Sequence, residues 1–273
     1  MNAILNILIL YSLLSLPQEK LQHNNGRPTS KGIDNYVNSK SNQAELIREY
    51  QGNIKDIVIN DIFFRTENFR KTRGKNYDPN VLGYNEISKN YSCEIIITNE
   101  EKFSGFELKQ MKDKIYDEYD YFLKATIFHE ITHYYILQCI LELKIIDHKE
   151  VNQYYDGIII YPNPELKYGA RFIEEGICEY ITEKWGETIP FNPDNIYRPE
   201  SKADFNNKNL RFEIQYKYAS KFVKDFLDLS IDELGRVKYG IMILLENRPP
   251  NYMEIQNSNQ FYNRLKLEIA NMN

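Results

Sequence analysis

The sequence predicts an α+β protein, and three observations carry the prediction. Two short β-branched runs, Ile54–Ile59 and Cys93–Thr98, come early in the chain. The stretch from Phe106 to Ile146 contains neither Pro nor Gly and keeps a helical apolar pattern. From Ala170 onward apolar residues again recur at helical spacing, with breaks at Gly186 and at Pro249-Pro250. Strands gathered ahead of helices are the pattern of an α+β domain, not of an alternating α/β one. With 273 residues the chain can bury one core of full size. It reads as one domain in two lobes, 51–146 and 147–273, behind a candidate signal peptide at 1–20 and a polar linker at 21–50.

Taken in order, Ala3–Leu16 is apolar apart from Asn6 and two serines. That is short for a membrane span and suits a signal-peptide core, so no stable span is expected. No Lys or Arg precedes the segment, no A-x-A site follows it, and Pro17 sits near any cleavage point. A docked N-terminal helix therefore competes with export. A secreted or periplasmic location is the expectation, with a cytoplasmic one the alternative. Residues 22–44 are rich in Asn, Ser, Lys and Gly, which predicts a linker with little to bury.

The runs Ile54–Ile59 and Cys93–Thr98 read as strands, separated by turn signals at Gly74, Asp78-Pro79-Asn80 and Gly83. Phe106–Ile146 reads as two helices meeting near Tyr119–Tyr121, the second apolar nearly all round and so expected in the middle of the domain. Asp147–Pro164 has the turn residues of a loop, and Ala170–Trp185 reads as a helix stopped by Gly186. The remaining helices are expected at Phe212–Leu229, Ser230–Glu246 and Ser258–Ile269, with Ser230-Ile-Asp-Glu233 in the form of a capping box.

Composition excludes some functions. The formal charge is −5 and no dense Lys/Arg cluster occurs, which argues against a nucleic-acid partner. Three cysteines, Cys93, Cys139 and Cys178, are too few and too far apart for a disulfide framework or a CxxC knuckle, and are expected as buried small residues, with approach to a metal the alternative for Cys178, three residues past Glu175. There is no internal repeat or heptad array.

The chemistry gathers at Phe128-His129-Glu130-Ile131-Thr132-His133-Tyr134. On a helix, residues four apart share a face, so His129 and His133 can present two imidazoles to one metal ion, for which Zn²⁺ is the natural occupant. Glu130 then lies beside a metal-bound water as a general base, the arrangement of a zinc peptidase. His148, fifteen residues past His133, would stand about 22 Å further along a continuing helix and is rejected as a ligand. HExxH alone is short enough to arise by chance, so a second signal matters. It comes at Glu174-Glu175-Gly-Ile-Cys-Glu179-Tyr180, where two carboxylates again stand four apart. One can supply the third metal oxygen while the other hydrogen-bonds the far nitrogen of a ligand histidine. Glu174 and Glu175, being adjacent, point about 100° apart and cannot both face the ion. Glu175 is preferred because Glu179 is its partner at the four-residue spacing.

These motifs resemble those of the gluzincins, peptidases with HExxH on one helix and a ligand glutamate on a later one. Phe172-Ile-Glu-Glu-Gly-Ile-Cys-Glu-Tyr180 is similar to the EGxAEY signature of the peptidase MA-like families, with Cys178 in place of Ala. Tyr216-Lys-Tyr-Ala-Ser-Lys-Phe-Val223 is similar to the YxxAxxFV helix that follows there. The resemblance spans about residues 80–265. It implies a zincin-like α+β fold, with a small mixed sheet, an active-site helix and a helical C-terminal lobe, and a zinc-dependent peptidase acting on peptide or protein substrates. It also implies His129, His133 and Glu175 as metal ligands, Glu179 as the residue orienting a ligand histidine, and Cys93–Thr98 as the upper edge of the cleft. Tyr168, seven residues before Glu175 as in the anthrax-lethal-factor-like zincins, is the leading candidate to stabilise the oxyanion, with Tyr216 and Tyr218 as rivals. A zincin-like protein used only for binding, and an α+β protein with an accidental motif, are the alternatives.

Overall fold

The structure is a computed structural model that describes residues 20, 22–24, 27–54, 62–76, 81–87, 92–99, 118–146, 161, 163–185, 195–234 and 236–272. The apolar segment Ala3–Leu16, residues 55–59 of the strand expected at Ile54–Ile59, residues 106–117 and His148 lie outside the described residues. Among the described residues no helix is long and apolar enough to cross a membrane. The fold is mixed α+β, mostly helical with a small mixed sheet. It divides into two compact units, Met1–Ile131 with Trp185–Thr188, and Thr132–Lys184 with Ile189–Asn273.

In the first unit a minimal hairpin, β1 (His23–Asn24) with β2 (Arg27–Pro28), leads into helices α1 (Ser30–Asn38) and α2 (Lys40–Asn53). Residues 30–50 were expected as part of a polar linker, and the structure corrects that. Their few apolar residues are spaced for one helical face, so Ile33, Val37, Leu46 and Tyr50 are all buried. Capping supplies the ends, because the Thr29 and Ser39 side chains accept from the Gly32 and Asn42 N–H groups.

Three strands follow, β3 (Ile62–Glu67), β4 (Gly83–Ile87) and β5 (Cys93–Thr98), with a short helix α3 (Phe69–Arg73) after β3. The sheet order is β3-β5-β4, β5 running parallel to β3 and antiparallel to β4. The expected strand Cys93–Thr98 is present with those bounds, but it is the central strand and not an edge. Cys93, Ile95, Ile96 and Ile97 are fully buried, as a strand covered on both faces requires. The outer strands β3 and β4 carry polar residues that hide their strand character. Glu86 lies directly opposite Glu94, and Arg65 relieves the repulsion with ion pairs at 3.8 and 2.9 Å.

Helix α4 (Glu118–Glu142) is continuous through 119–121, where a junction of two helices was expected. The division between the units falls inside it, after Ile131, not in the loop beyond 146. Its N-terminal half packs on the first unit, with Phe128 edge-on to Tyr50 at 5.3 Å and Lys124 paired to Glu49. Its C-terminal half belongs to the second unit, where Glu142 accepts from Lys238 at 2.8 Å.

In the second unit α5 (Pro164–Trp185) begins six residues before the expected Ala170. Asn163 caps the Glu165 N–H at 2.9 Å and Pro164 takes the first helical position, where its missing donor costs nothing. A π-helical turn at Glu213–Tyr218 then runs into α6 (Ala219–Leu234), followed by α7 (Val237–Glu246), α8 (Tyr252–Gln256) and α9 (Ser258–Met272). The helix start expected at Ser230 is not found, since 230–233 lie inside α6 and the first helix breaker in the sequence is Gly235. Asn251 and Glu254 form a capping box, just after the Pro249-Pro250 break. Gly176 explains why two of the sequence motifs go together. A Cβ there would lie 2.6 Å from the Ala219 carbonyl oxygen and 3.1 Å from the Ala219 methyl, so small residues on both helices let α5 and α6 touch.

Candidate metal centre

His129 and His133 stand one turn apart on α4, as the spacing requires, and Glu130 next to them is buried. In the second unit α5 faces His133 with three side chains. The Nδ1–H of His133 donates to Glu174 Oε1 at 2.9 Å, the direction fixed because a carboxylate only accepts. Its other nitrogen, Nε2, lies 3.6 Å from Glu175 Oε2. The imidazole is therefore bracketed by adjacent carboxylates, one on each nitrogen. One ring nitrogen of His129, one of His133 and the Cys178 thiol lie within 4.8 Å of one another, a group of donors able to hold a metal ion.

The electrostatics suit a cation. Burial works against protonation of His133, yet the Cys178 thiol and the Glu174 and Glu175 carboxylates together hold its pKa well above the usual imidazole value. Surroundings that favour a proton on this ring also favour a metal cation. Glu175 is 4% exposed, and its Oε1 receives the Arg171 guanidinium at 3.4 Å, which offsets part of the buried charge.

On the first unit, β4 comes close to α4 at Glu130. The Asn85 side chain donates to Glu130 Oε2 at 3.4 Å and to the Glu130 carbonyl at 3.3 Å. Gly83, two residues earlier and on the same strand face, makes the approach feasible: a Cβ there would stand 2.9 Å from Thr126 Cγ2 and 3.2 Å from Glu130 Cγ.

Two residues at the centre differ from their sequence expectation. On Nδ1 of His133 the structure places Glu174, the glutamate set aside in favour of Glu175, while Glu179 is part-exposed one turn beyond Glu175. The His133 ring lies between the two adjacent glutamates and engages both. Cys178 is fully buried as expected, yet its thiol faces the histidines instead of merely filling space. The tyrosines sort differently. Tyr168 packs edge-on against Phe205 and Tyr252 with its hydroxyl bonded to Gln215, contacts that account for it by packing. Tyr218 donates to the Ile255 carbonyl at 2.9 Å. Tyr216 lies close enough to Arg171, the partner of Glu175, to interact with it electrostatically.

Asn85 has no role in the sequence reading, and Glu174 enters it only as the adjacent glutamate passed over for Glu175. The signal for Asn85 is Gly83-x-Asn85, a small residue and a donor on one strand face, but in the sequence Gly83 reads as a turn residue and no strand is expected there. Comparison with protein-family models, with curated proteins and with solved structures finds no match to this chain.

Proposed function

We propose that this protein is a zinc-dependent peptidase of zincin-like fold, of the gluzincin type that its motifs resemble. The observation that carries the reading is the His133 ring held between two carboxylates of α5, with Nδ1 on Glu174 and Nε2 turned toward Glu175. His129, His133 and Glu175 would hold the ion, and two imidazoles with a carboxylate form a donor set that fits zinc. Glu174 fixes the tautomer and tilt of His133, so that Nε2 carries the lone pair. When bound, zinc would acidify a water and polarise the substrate carbonyl.

The rest falls to the chain's own side chains. Glu130 Oε2 accepts the proton from the attacking water and delivers it to the leaving amine nitrogen. Asn85 holds that carboxylate in place by donating to it. Among the described residues the outer side of β4 is the edge of the sheet, where an extended peptide could pair beside Glu130. The missing side chain at Gly83 keeps that edge close to the base.

The test is cleavage of a mixed peptide library by the zinc-loaded chain and by Glu130→Gln. The variant should keep its zinc and lose at least a hundredfold in rate, since an amide cannot accept the proton, and general-base catalysis contributes about 10²–10⁴-fold. Equal cleavage by both proteins, or none by the wild type, would remove the proposal.

A further inference from the structure

Cys178 is a potential metal donor at this centre that the peptidase reading leaves unused. It is fully buried on α5, three residues past Glu175, so the two side chains leave the helix within about 60° of each other. Its sulfur belongs to the one cluster of potential metal donors found among the described residues, with His129 and His133 inside 4.8 Å. Donors about 2.0–2.1 Å (nitrogen) and 2.3 Å (sulfur) from a tetrahedral ion sit about 3.3–3.6 Å apart. The observed spread therefore needs a contraction of only about 1.5 Å at most. Side chains make such moves when an ion replaces mutual solvation.

We propose that Cys178 is a metal ligand through Sγ, so that the ion is held by His129, His133 and a thiolate, with Glu175 as a further donor. The proposal rests on the peptidase reading only for the presence of an ion. On binding, the thiol proton passes to solvent and a metal–sulfur bond forms with no change of oxidation state. A sulfur donor selects borderline and soft ions such as Zn²⁺ over Mg²⁺, Ca²⁺ or Mn²⁺. It also fills a coordination position that water would otherwise take. With all four side chains engaged the resting centre is closed, and either Glu175 or Cys178 must withdraw to admit water.

Zinc-edge X-ray absorption on the full-length, zinc-loaded chain tests this without any activity measurement. The wild type should show a sulfur shell at about 2.3 Å beside nitrogen and oxygen at about 2.0–2.2 Å. The sulfur shell should vanish in Cys178→Ser, a near-isosteric change that preserves the buried packing, and persist in Cys139→Ser. Zinc bound by nitrogen and oxygen alone in the wild type, or a sulfur shell surviving Cys178→Ser, would overturn the thiolate assignment and leave the peptidase reading standing. A wild type that binds no zinc would overturn both. Loss of zinc by a folded Cys178→Ser, with Cys139→Ser unaffected, supports the ligand role.

Discussion

Replacing Glu174 by Ala should loosen the metal without removing a ligand to it. The side chain accepts from His133 Nδ1 at 2.9 Å, and the two groups are only 20% and 15% exposed, so water screens the bond weakly. A hydrogen bond to a charged group contributes about 1.5–3 kcal/mol. Its loss frees the imidazole to rotate and to adopt the wrong tautomer, so the expected weakening of zinc is about 10–100-fold, in line with other orienting carboxylates. Glu174→Gln keeps an acceptor oxygen at the same place and should recover most of the affinity. Competition titration against a chromophoric zinc chelator reads the effect directly. Spacing alone gives Glu174 no role and gives this one to Glu179. Wild-type affinity in Glu174→Ala, together with a loss in Glu179→Ala, would therefore refute the assignment made from the His133 contact.

Three other outcomes follow from contacts elsewhere. Gly176→Ala pushes a methyl to 2.6 Å from the Ala219 carbonyl oxygen, a backbone atom that cannot rotate away, and should cost about 1–3 kcal/mol, visible as a lowered Tm. Asn85→Ala should retain zinc but lower kcat with little change in KM, because it frees the Glu130 carboxylate; an unchanged kcat would show that Asn85 does not hold the base. For Glu254, burial raises the carboxyl pKa, but Arg264, the Asn251 N–H and Arg248 together bring it below the usual carboxylate range. A depressed folded pKa contributes stability that is present above the unfolded value of about 4.3 and is lost as pH falls through the folded value. The Tm gap between wild type and Glu254→Gln should thus be full near neutrality and close in acid. A gap that does not change with pH would count against the ion cluster.

The legible parts of the sequence were those where one interaction dominates. Cys93–Thr98 is apolar on both faces because it is the central strand, and its bounds could be read directly. The HExxH helix and the end of α5 at Trp185 were likewise marked by pattern and breaker. What escaped depends on partners far away in the chain. Strand β3 ends in Arg65-Thr66-Glu67, which looks like turn until Glu94 and Glu86 are placed beside Arg65. Helices α1 and α2 bury few side chains each, at a spacing easily lost among Asn and Ser. At the centre, spacing identified the face of α5 that turns to the histidines, but not which carboxylate meets which nitrogen. That choice is set by where the His133 ring lies between Glu174 and Glu175. The three-residue spacing of Cys178 from Glu175 is legible in the sequence and puts the thiol near that face of α5, but its distance to the imidazoles is not.

The central claim is that α4 and α5 together hold one metal ion, and zinc stoichiometry tests it most directly. Full-length protein purified after equilibration with zinc, then freed of loose metal, should retain one ion per chain. His129→Ala with His133→Ala in the same chain should retain none while keeping the wild-type helical circular dichroism. A wild type without stoichiometric zinc, or a folded double variant that holds as much as the wild type, would contradict the account.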